Sequence, residues 1–122
     1  MLFNKLRISS DASSRLRSLR QRTGLTPNLL CRVGLMLSLD QGSLGDTTAP
    51  DEEGQEFNAY TLTGDHEGLI VSLLRIVEDE TGQLDDAALT ARLRAHIHRG
   101  VANLSVRAKS PIDLVDLLAR AA

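Results

Sequence analysis

The stretch Thr23–Leu39, TGLTPNLLCRVGLMLSL, decides how the chain is read. Gly24 is a natural stop for a preceding helix, because glycine accepts the left-handed conformation that closes a helical end. Thr26 followed by Pro27 is a helix start: the hydroxyl caps, and the ring presets the first helical φ. The helix this predicts, over about 27–39, is apolar nearly all round and therefore buried on most sides. In a chain of 122 residues that burial points to a second subunit, so an oligomer is expected. The stretch also holds the single cysteine, Cys31, and Arg32, the one charge between Arg22 and Asp40. Residues 31 and 32 point about 100° apart on a helix, so adjacency in sequence is not contact. Cys31 reads as a small buried apolar residue. The competing reading, a reactive thiol activated by the guanidinium, is opposed by burial, which raises a thiol pKa and blocks access. Arg32 must reach solvent, a carboxylate or a phosphate, because an unpaired buried charge is costly.

On the N-terminal side, Leu2–Ile8 alternate loosely, with Leu6 and Ile8 on one face and Lys5 and Arg7 on the other, the signal of a short strand. Ser9 and Ser10 offer caps for a helix over roughly 11–22. Its apolar stripe of Ala12, Leu16 and Leu19 is bordered by Arg15 and Arg22 on one side and by Arg17 and Arg20 on the other. On the C-terminal side, residues 40–56 read as an acidic loop, and 57–64, FNAYTLTG, as a brief extended piece. Leu69, Leu73, Ile76 and Val77 predict a helix over 66–81. Its trailing Glu78, Asp79 and Glu80 are disfavoured by the macrodipole and are therefore solvated or paired with a basic neighbour. Asp85 can cap a long helix over 86–108 with the stripe Leu89, Leu93, Ile97, Val101 and Leu104. Arg92, His96, Arg99, Asn103 and Arg107 share a neighbouring face of it. Ser110-Pro111, with Asp113, opens a final short helix.

The fold class is thus mainly α: a short N-terminal strand plus two helices, then about three further helices. One domain spans 1–122, made of a basic strand-helix-helix segment (1–39), an acidic loop (40–64) and C-terminal helices (65–122). Twenty-two leucines against three aromatic residues support helices over sheets. A single cysteine allows no internal disulfide, and no apolar run reaches membrane-spanning length. With no secretory signal in the N-terminal residues, a cytoplasmic location is expected.

The net charge of −2 hides a segregation. Residues 1–39 set seven Lys/Arg against Asp11; residues 40–90 set thirteen Asp/Glu against Arg75; residues 91–122 set six basic against two acidic groups. Such blocks either pair with each other, within or between subunits, or present separate basic and acidic surfaces. No phosphate loop, dinucleotide fingerprint or nucleophile elbow is present, so no catalytic residue is assigned. His96 and His98 sit two apart and point about 160° away from each other on a helix, so one metal ion cannot use both; no metal site or cofactor is expected. His66, between Asp65 and Glu67 in the acidic region, reads as a solvated residue at a helix start.

The basic segment is the better lead. A strand with outward Lys5 and Arg7, a helix, a Gly-containing turn and a second helix resembles the ribbon-helix-helix layout. There, two subunits pair their strands into a ribbon that enters the major groove. Candidate DNA-binding residues are Lys5, Arg7, Arg15, Arg17, Arg20 and Arg22, with Arg92 and Arg99 as additions. Arginines on a helix face also serve simply to solvate it.

The segments FNKLRIS (3–9), RTGLTPNLLCRVGLMLSL (22–39), DEEGQEFNAYTLTG (51–64) and RAHIHRGVANL (94–104) together resemble the DndE family of the bacterial DNA phosphorothioation system. The resemblance runs from Leu2 to about Leu118 and is strongest over 23–39 and 51–64. It implies a part in replacing a non-bridging phosphate oxygen of DNA with sulfur. It implies as partners double-stranded DNA, with a preference for nicked duplex, further copies of the chain, and the other subunits, an iron–sulfur protein and an SMC-like ATPase. It also implies an accessory rather than catalytic role. A different class of function, a protein–protein adaptor, would place the acidic segment 46–56 against a basic surface of another subunit.

Overall fold

Residues 2–121 are described in the computed structural model. In chain order the elements are β1 (Lys5–Arg7), α1 (Ser10–Thr23), α2 (Pro27–Gln41), β2 (Glu56–Asn58), α3 (Ala59–Thr63), a 3-10 turn (Gly64–His66), α4 (Glu67–Glu78), α5 (Asp86–Arg107) and α6 (Pro111–Ala121). Helix starts follow the side-chain caps. Ser9 accepts from the Ala12 N–H, Thr26 from Leu29 and Asp85 from Ala88; each such cap contributes about 1 kcal/mol. Gly24, at φ 77°, ends α1 in the left-handed conformation, and its N–H donates to the Arg20 carbonyl.

The core is a single leucine-rich cluster. Leu16 and Leu19 of α1, Leu30, Cys31 and Leu35 of α2, Ile70 and Leu74 of α4, and Leu89, Leu93, Ile97, Val101 and Leu104 of α5 are buried in it. Helix α5 runs along α2 and α1 and is the spine of the molecule. Where α2 and α5 cross, Gly34 and Gly100 put backbone against backbone. A Cβ built on Gly34 would lie 3.0 Å from the Gly100 carbonyl carbon, and one built on Gly100 would overlap the Gly34 carbonyl. The crossing therefore admits no side chain on either helix.

Two sequence expectations are corrected. First, β1 pairs antiparallel with β2 of its own chain, Leu6 opposite Phe57 and Arg7 opposite Glu56, not with the strand of a second copy. The acidic loop supports this pairing: Ile8 N–H donates to the Gln55 carbonyl and Gly54 N–H to the Ile8 carbonyl. Second, only β2 of the 57–64 stretch is extended. Asn58 caps Tyr60 and opens α3, so four helices, one of them very short, follow α2. Within one chain α2 is buried along one side, through Leu30, Cys31, Gly34, Leu35, Ser38 and Leu39. On its other side Leu29 is 43% exposed and Val33, Met36 and Leu37 are half-buried, leaving an apolar stripe on the surface.

The crossing predicts an asymmetry between two helical glycines. Gly100→Ala should cost at least the 1–3 kcal/mol typical of overpacking. Gly68→Ala in α4, where an added Cβ meets nothing within 4 Å, should leave stability unchanged or raise it by up to about 1 kcal/mol. Urea unfolding of both variants checks this, and equal stabilities would contradict the packing described.

Candidate nucleic-acid interface

Arginine is a rigid fork of five donors, suited to carboxylates, phosphates and grouped carbonyls alike. The fold separates its arginines by which of these they meet. Arg32 donates from Nε to the Leu62 carbonyl at 2.7 Å and from Nη2 to the Thr61 carbonyl at 2.8 Å. The lone charge of α2 thus closes the C-terminal end of α3, a solution outside the three that sequence reasoning allowed. Gly64, at φ +57°, leaves room for that guanidinium. Arg99 does the same for α2, donating to Ser38 and Gly42 carbonyls at 2.6 Å each. Arg22 does it for α5, donating to Ser105 and Ala108 carbonyls at 2.8 and 3.3 Å. Unpaired carbonyls at a helix end carry partial negative charge, and a cation there is favourable. Arg94 meets a strand end instead, donating from Nε to the Arg7 carbonyl at 2.9 Å and pairing through Nη2 with Glu52 at 3.1 Å.

Several sequence-predicted interface residues are therefore engaged inside the chain. Arg92 pairs with buried Glu78 at 3.3 Å, and Arg22 and Arg99 hold helix ends. Lys5 and Arg7 both face Glu56, at 3.9 and 3.8 Å across the two-stranded sheet, and Arg7 also donates to the Gly54 carbonyl. These two remain half exposed or more, where such ion pairs contribute little. Arg15 pairs with Asp11 at 2.9 Å and donates to Ser105 Oγ at 2.6 Å. Arg17 and Arg20, on the opposite border of the α1 stripe, are exposed, and neither side chain has an ion pair or hydrogen bond among the described residues. The candidates do not form one continuous patch: Arg17 and Arg20 lie on one flank of α1, Arg15 and Arg22 on the other.

The acidic block is distributed in the same way. Asp51 accepts from the Ser10 N–H at 2.9 Å and the Ser10 hydroxyl at 3.1 Å, capping α1 from a distance in sequence. Backbone hydrogen bonds from Ser10 and Glu53 hold its carboxyl below the usual carboxylate range. Glu52 meets Arg94, Glu56 meets Lys5 and Arg7, and buried Asp79 meets Arg75 at 2.6 Å. Among the described residues, four of the thirteen acidic side chains of 40–90, Glu52, Glu56, Glu78 and Asp79, thus meet a lysine or arginine within the fold.

Sequence reasoning missed a buried polar network. His96, fully buried, reaches Ser38 Oγ from Nδ1 and Glu78 Oε1 from Nε2, both at 2.8 Å. Arg99 Nε donates to the same Ser38 Oγ at 2.8 Å, and Leu44 N–H donates to Glu78 Oε1 at 2.8 Å. We assign the donors as Arg99 to Ser38, Ser38 to His96, and His96 to Glu78, which keeps the imidazole neutral. Although serine, histidine and carboxylate stand in a row, Ser38 is wholly buried, so the row ties α2, α4 and α5 together and offers nothing to a substrate. His98 points elsewhere, with Nδ1 2.7 Å from Ser9 Oγ, as expected for residues two apart on a helix. Among the described residues no group of His, Cys, Asp and Glu could hold a metal ion. Surface clefts of about 400 Å³ (around Leu2, Glu67, Val71 and Asp86) and 350 Å³ (around Ser10, Ser13, Arg17 and Glu53) bring no nucleophile to a base.

What the fold defines is a small, mainly helical protein with a short two-stranded antiparallel sheet. No helix among the described residues is long and apolar enough to cross a membrane. Residues 5–111 match the family described as DNA sulphur modification protein DndE, and the chain belongs to that family. The fold is shared with the crystal structure of DndE from Escherichia coli B7A, a protein involved in DNA phosphorothioation modification. The two are 24% identical with a TM-score of 0.72, over 84% of this chain and 98% of that one. It is shared likewise with a DndE G21/24K mutant involved in DNA phosphorothioation, at 22% identity and a TM-score of 0.69, over 85% and 99%. No curated protein sequence matches the chain.

Two predictions follow from the buried groups. Burial lowers the His96 pKa, an effect the Glu78 hydrogen bond only partly offsets. For Glu78, burial acts to raise the pKa, but hydrogen bonds from Leu44 N–H and His96 outweigh it and the net shift is downward. Both groups bind protons more readily when unfolded, so stability falls as pH drops below about 6.5 and falls further through the carboxylate range. Denaturant unfolding between pH 8 and 5 should show this loss for the wild type and a shallower one for His96→Gln; identical slopes would refute it. Burial also pushes the Cys31 thiol up to about 12. Alkylation of Cys31 should therefore proceed only after unfolding, and stoichiometric labelling of the native chain within minutes would contradict that.

Proposed function

We propose that this chain is a non-catalytic, DNA-binding accessory subunit of the phosphorothioation machinery, acting as a homo-oligomer on double-stranded DNA, with nicked duplex preferred. The observation that carries the reading is the outer flank of α1. Arg17 and Arg20 stand exposed and unpaired there among the described residues, while nearly every other arginine of the first forty residues holds the fold together. Exposed cations with no internal partner fit phosphate neutralisation. Lys5 and Arg7, whose ion pairs are with a solvent-exposed Glu56, can add to that surface. Membership of the DndE family supplies the process, and the iron–sulfur and SMC-like ATPase subunits are the protein partners of this reading.

The oligomer rests on a second surface. Leu29 on α2, at 43% exposure, and Leu69 and Ile76 on α4, at 57% and 67%, are uncharged and outward-facing. On this reading these side chains are covered by a second copy, as contiguous apolar surface at a protein contact would be. The adaptor reading is less well supported, because, of Asp51, Glu52, Glu53 and Glu56, which would dock on another subunit, all but Glu53 are already engaged.

Charge reversal tests the DNA surface. Arg17→Glu with Arg20→Glu should weaken binding to nicked and intact duplexes by about tenfold or more at low salt, and reduce the slope of log K against log salt by about two. Nicked duplex should bind more tightly than intact duplex across the series. Unchanged affinity and slope in the double variant would remove this surface from the reading.

A further inference from the structure

At the C-terminal end of α5 three cations converge on one residue. Arg15 Nη1 donates to Ser105 Oγ at 2.6 Å, Arg22 Nη1 to the Ser105 carbonyl at 2.8 Å, and Lys109 Nζ to the same carbonyl at 3.3 Å. Ser105 is 4% exposed, so it fixes the three heads from beneath. Lys109 was not among the candidates from sequence and lies between α5 and α6.

A helix end explains part of this, since its carbonyls carry about half a negative charge and attract cations. It does not explain three. The carboxylates in contact with the group are Asp11, paired with Arg15, and Asp113, which accepts from the Lys109 backbone N–H at the start of α6. With both counted, and the opposed ends of α5 and α6 offsetting each other, roughly one positive charge is left unneutralised. The donors are also incompletely used. Arg15 keeps three of its five N–H groups free among the described residues, Arg22 two of five, and Lys109 two of three. Like charges held together by a shared base, with donors to spare, are arranged for a tetrahedral oxyanion, whose oxygens can accept from several donors at once.

We infer that Arg15, Arg22 and Lys109 form an oxyanion site that takes a phosphate group, on the flank of α1 opposite Arg17 and Arg20. On the DNA-binding reading, on which its biological use rests, the occupant is a backbone phosphate. The chain then grips nucleic acid at a fixed point in addition to the open cations of the outer flank. The site itself is a claim about phosphate chemistry and stands apart from that use.

Thermal unfolding of the full chain in inorganic phosphate, against chloride at matched ionic strength, tests it. At ten times the dissociation constant, phosphate should raise the wild-type Tm by roughly 3–6 °C. Lys109→Ala, an exposed residue outside any helix, should lose at least half of that rise. Arg17→Ala should retain all of it, which separates site binding from the general stabilising effect of phosphate. Equal rises in all three proteins would overturn the site. A salt series with duplex DNA supplies the second arm, in which Lys109→Ala should lower the slope by about one. A phosphate-dependent rise lost in Lys109→Ala, with no duplex binding by the wild type, would uphold the site and refute the DNA-binding reading.

Discussion

The contact between Gly34 and Gly100 sets the geometry of everything around it. Two helices that meet through bare backbone lie closer than helices separated by side chains, and the approach leaves little tolerance for change. Because α5 lies so close to α2, Ser38, one turn after Gly34, falls within hydrogen-bond reach of both His96 and Arg99. The same approach brings Arg99 onto the end of α2 and buries Ile97 and Val101 beside Cys31 and Leu35 in the common cluster. A separation larger by one methyl group would break the bonds of Ser38 to His96 and Arg99, leaving the buried hydroxyl and His96 Nδ1 without these partners, which costs more than the packing alone.

Charge in this chain does structural work first. Arg22, Arg32 and Arg99 each end a different helix, α5, α3 and α2, by donating to its last carbonyls. Asp51 and Ser9 perform the complementary task at the start of α1. An excess of basic residues in the first forty positions is therefore a poor measure of a nucleic-acid surface. The relevant quantity is what remains after the helix ends and carboxylates have been satisfied, and in α1 that leaves the Arg17 and Arg20 flank and the spare donors of Arg15 and Arg22.

Local signals were legible because they are local. Ser9, Gly24, Thr26-Pro27 and Asp85 act within four residues of themselves, and each places a helix end in the structure. Helix α3 was hidden because it is one turn long and rich in threonine and tyrosine, which favour strands as readily. The partner of β1 was not readable either: a three-residue strand carries no address, and β2 lies about fifty residues away. His96 sits beside the apolar stripe of α5, where spacing alone suggests a surface. Its burial depends on Glu78 and Ser38, 18 and 58 residues distant in sequence. The arginine flanks of α1 were separable from periodicity, but their different fates depended on where α5 ended.

The two surfaces left open by the fold bear on each other. Arg17 and Arg20 can neutralise about two phosphates per copy, which gives only a shallow salt dependence, whereas a protein with steep salt dependence makes six to ten such contacts. One copy is too small to supply that number from unpaired cations on α1, even with a phosphate held at Ser105. Association through the apolar stripes of α2 and α4 multiplies the contacts without adding residues, and tethered sites engage the duplex with a high effective concentration. On the proposed reading, self-association and DNA binding are therefore one requirement. A variant that loses the apolar contact while keeping Arg17, Arg20 and Lys109 would lose most duplex affinity with every cation still in place.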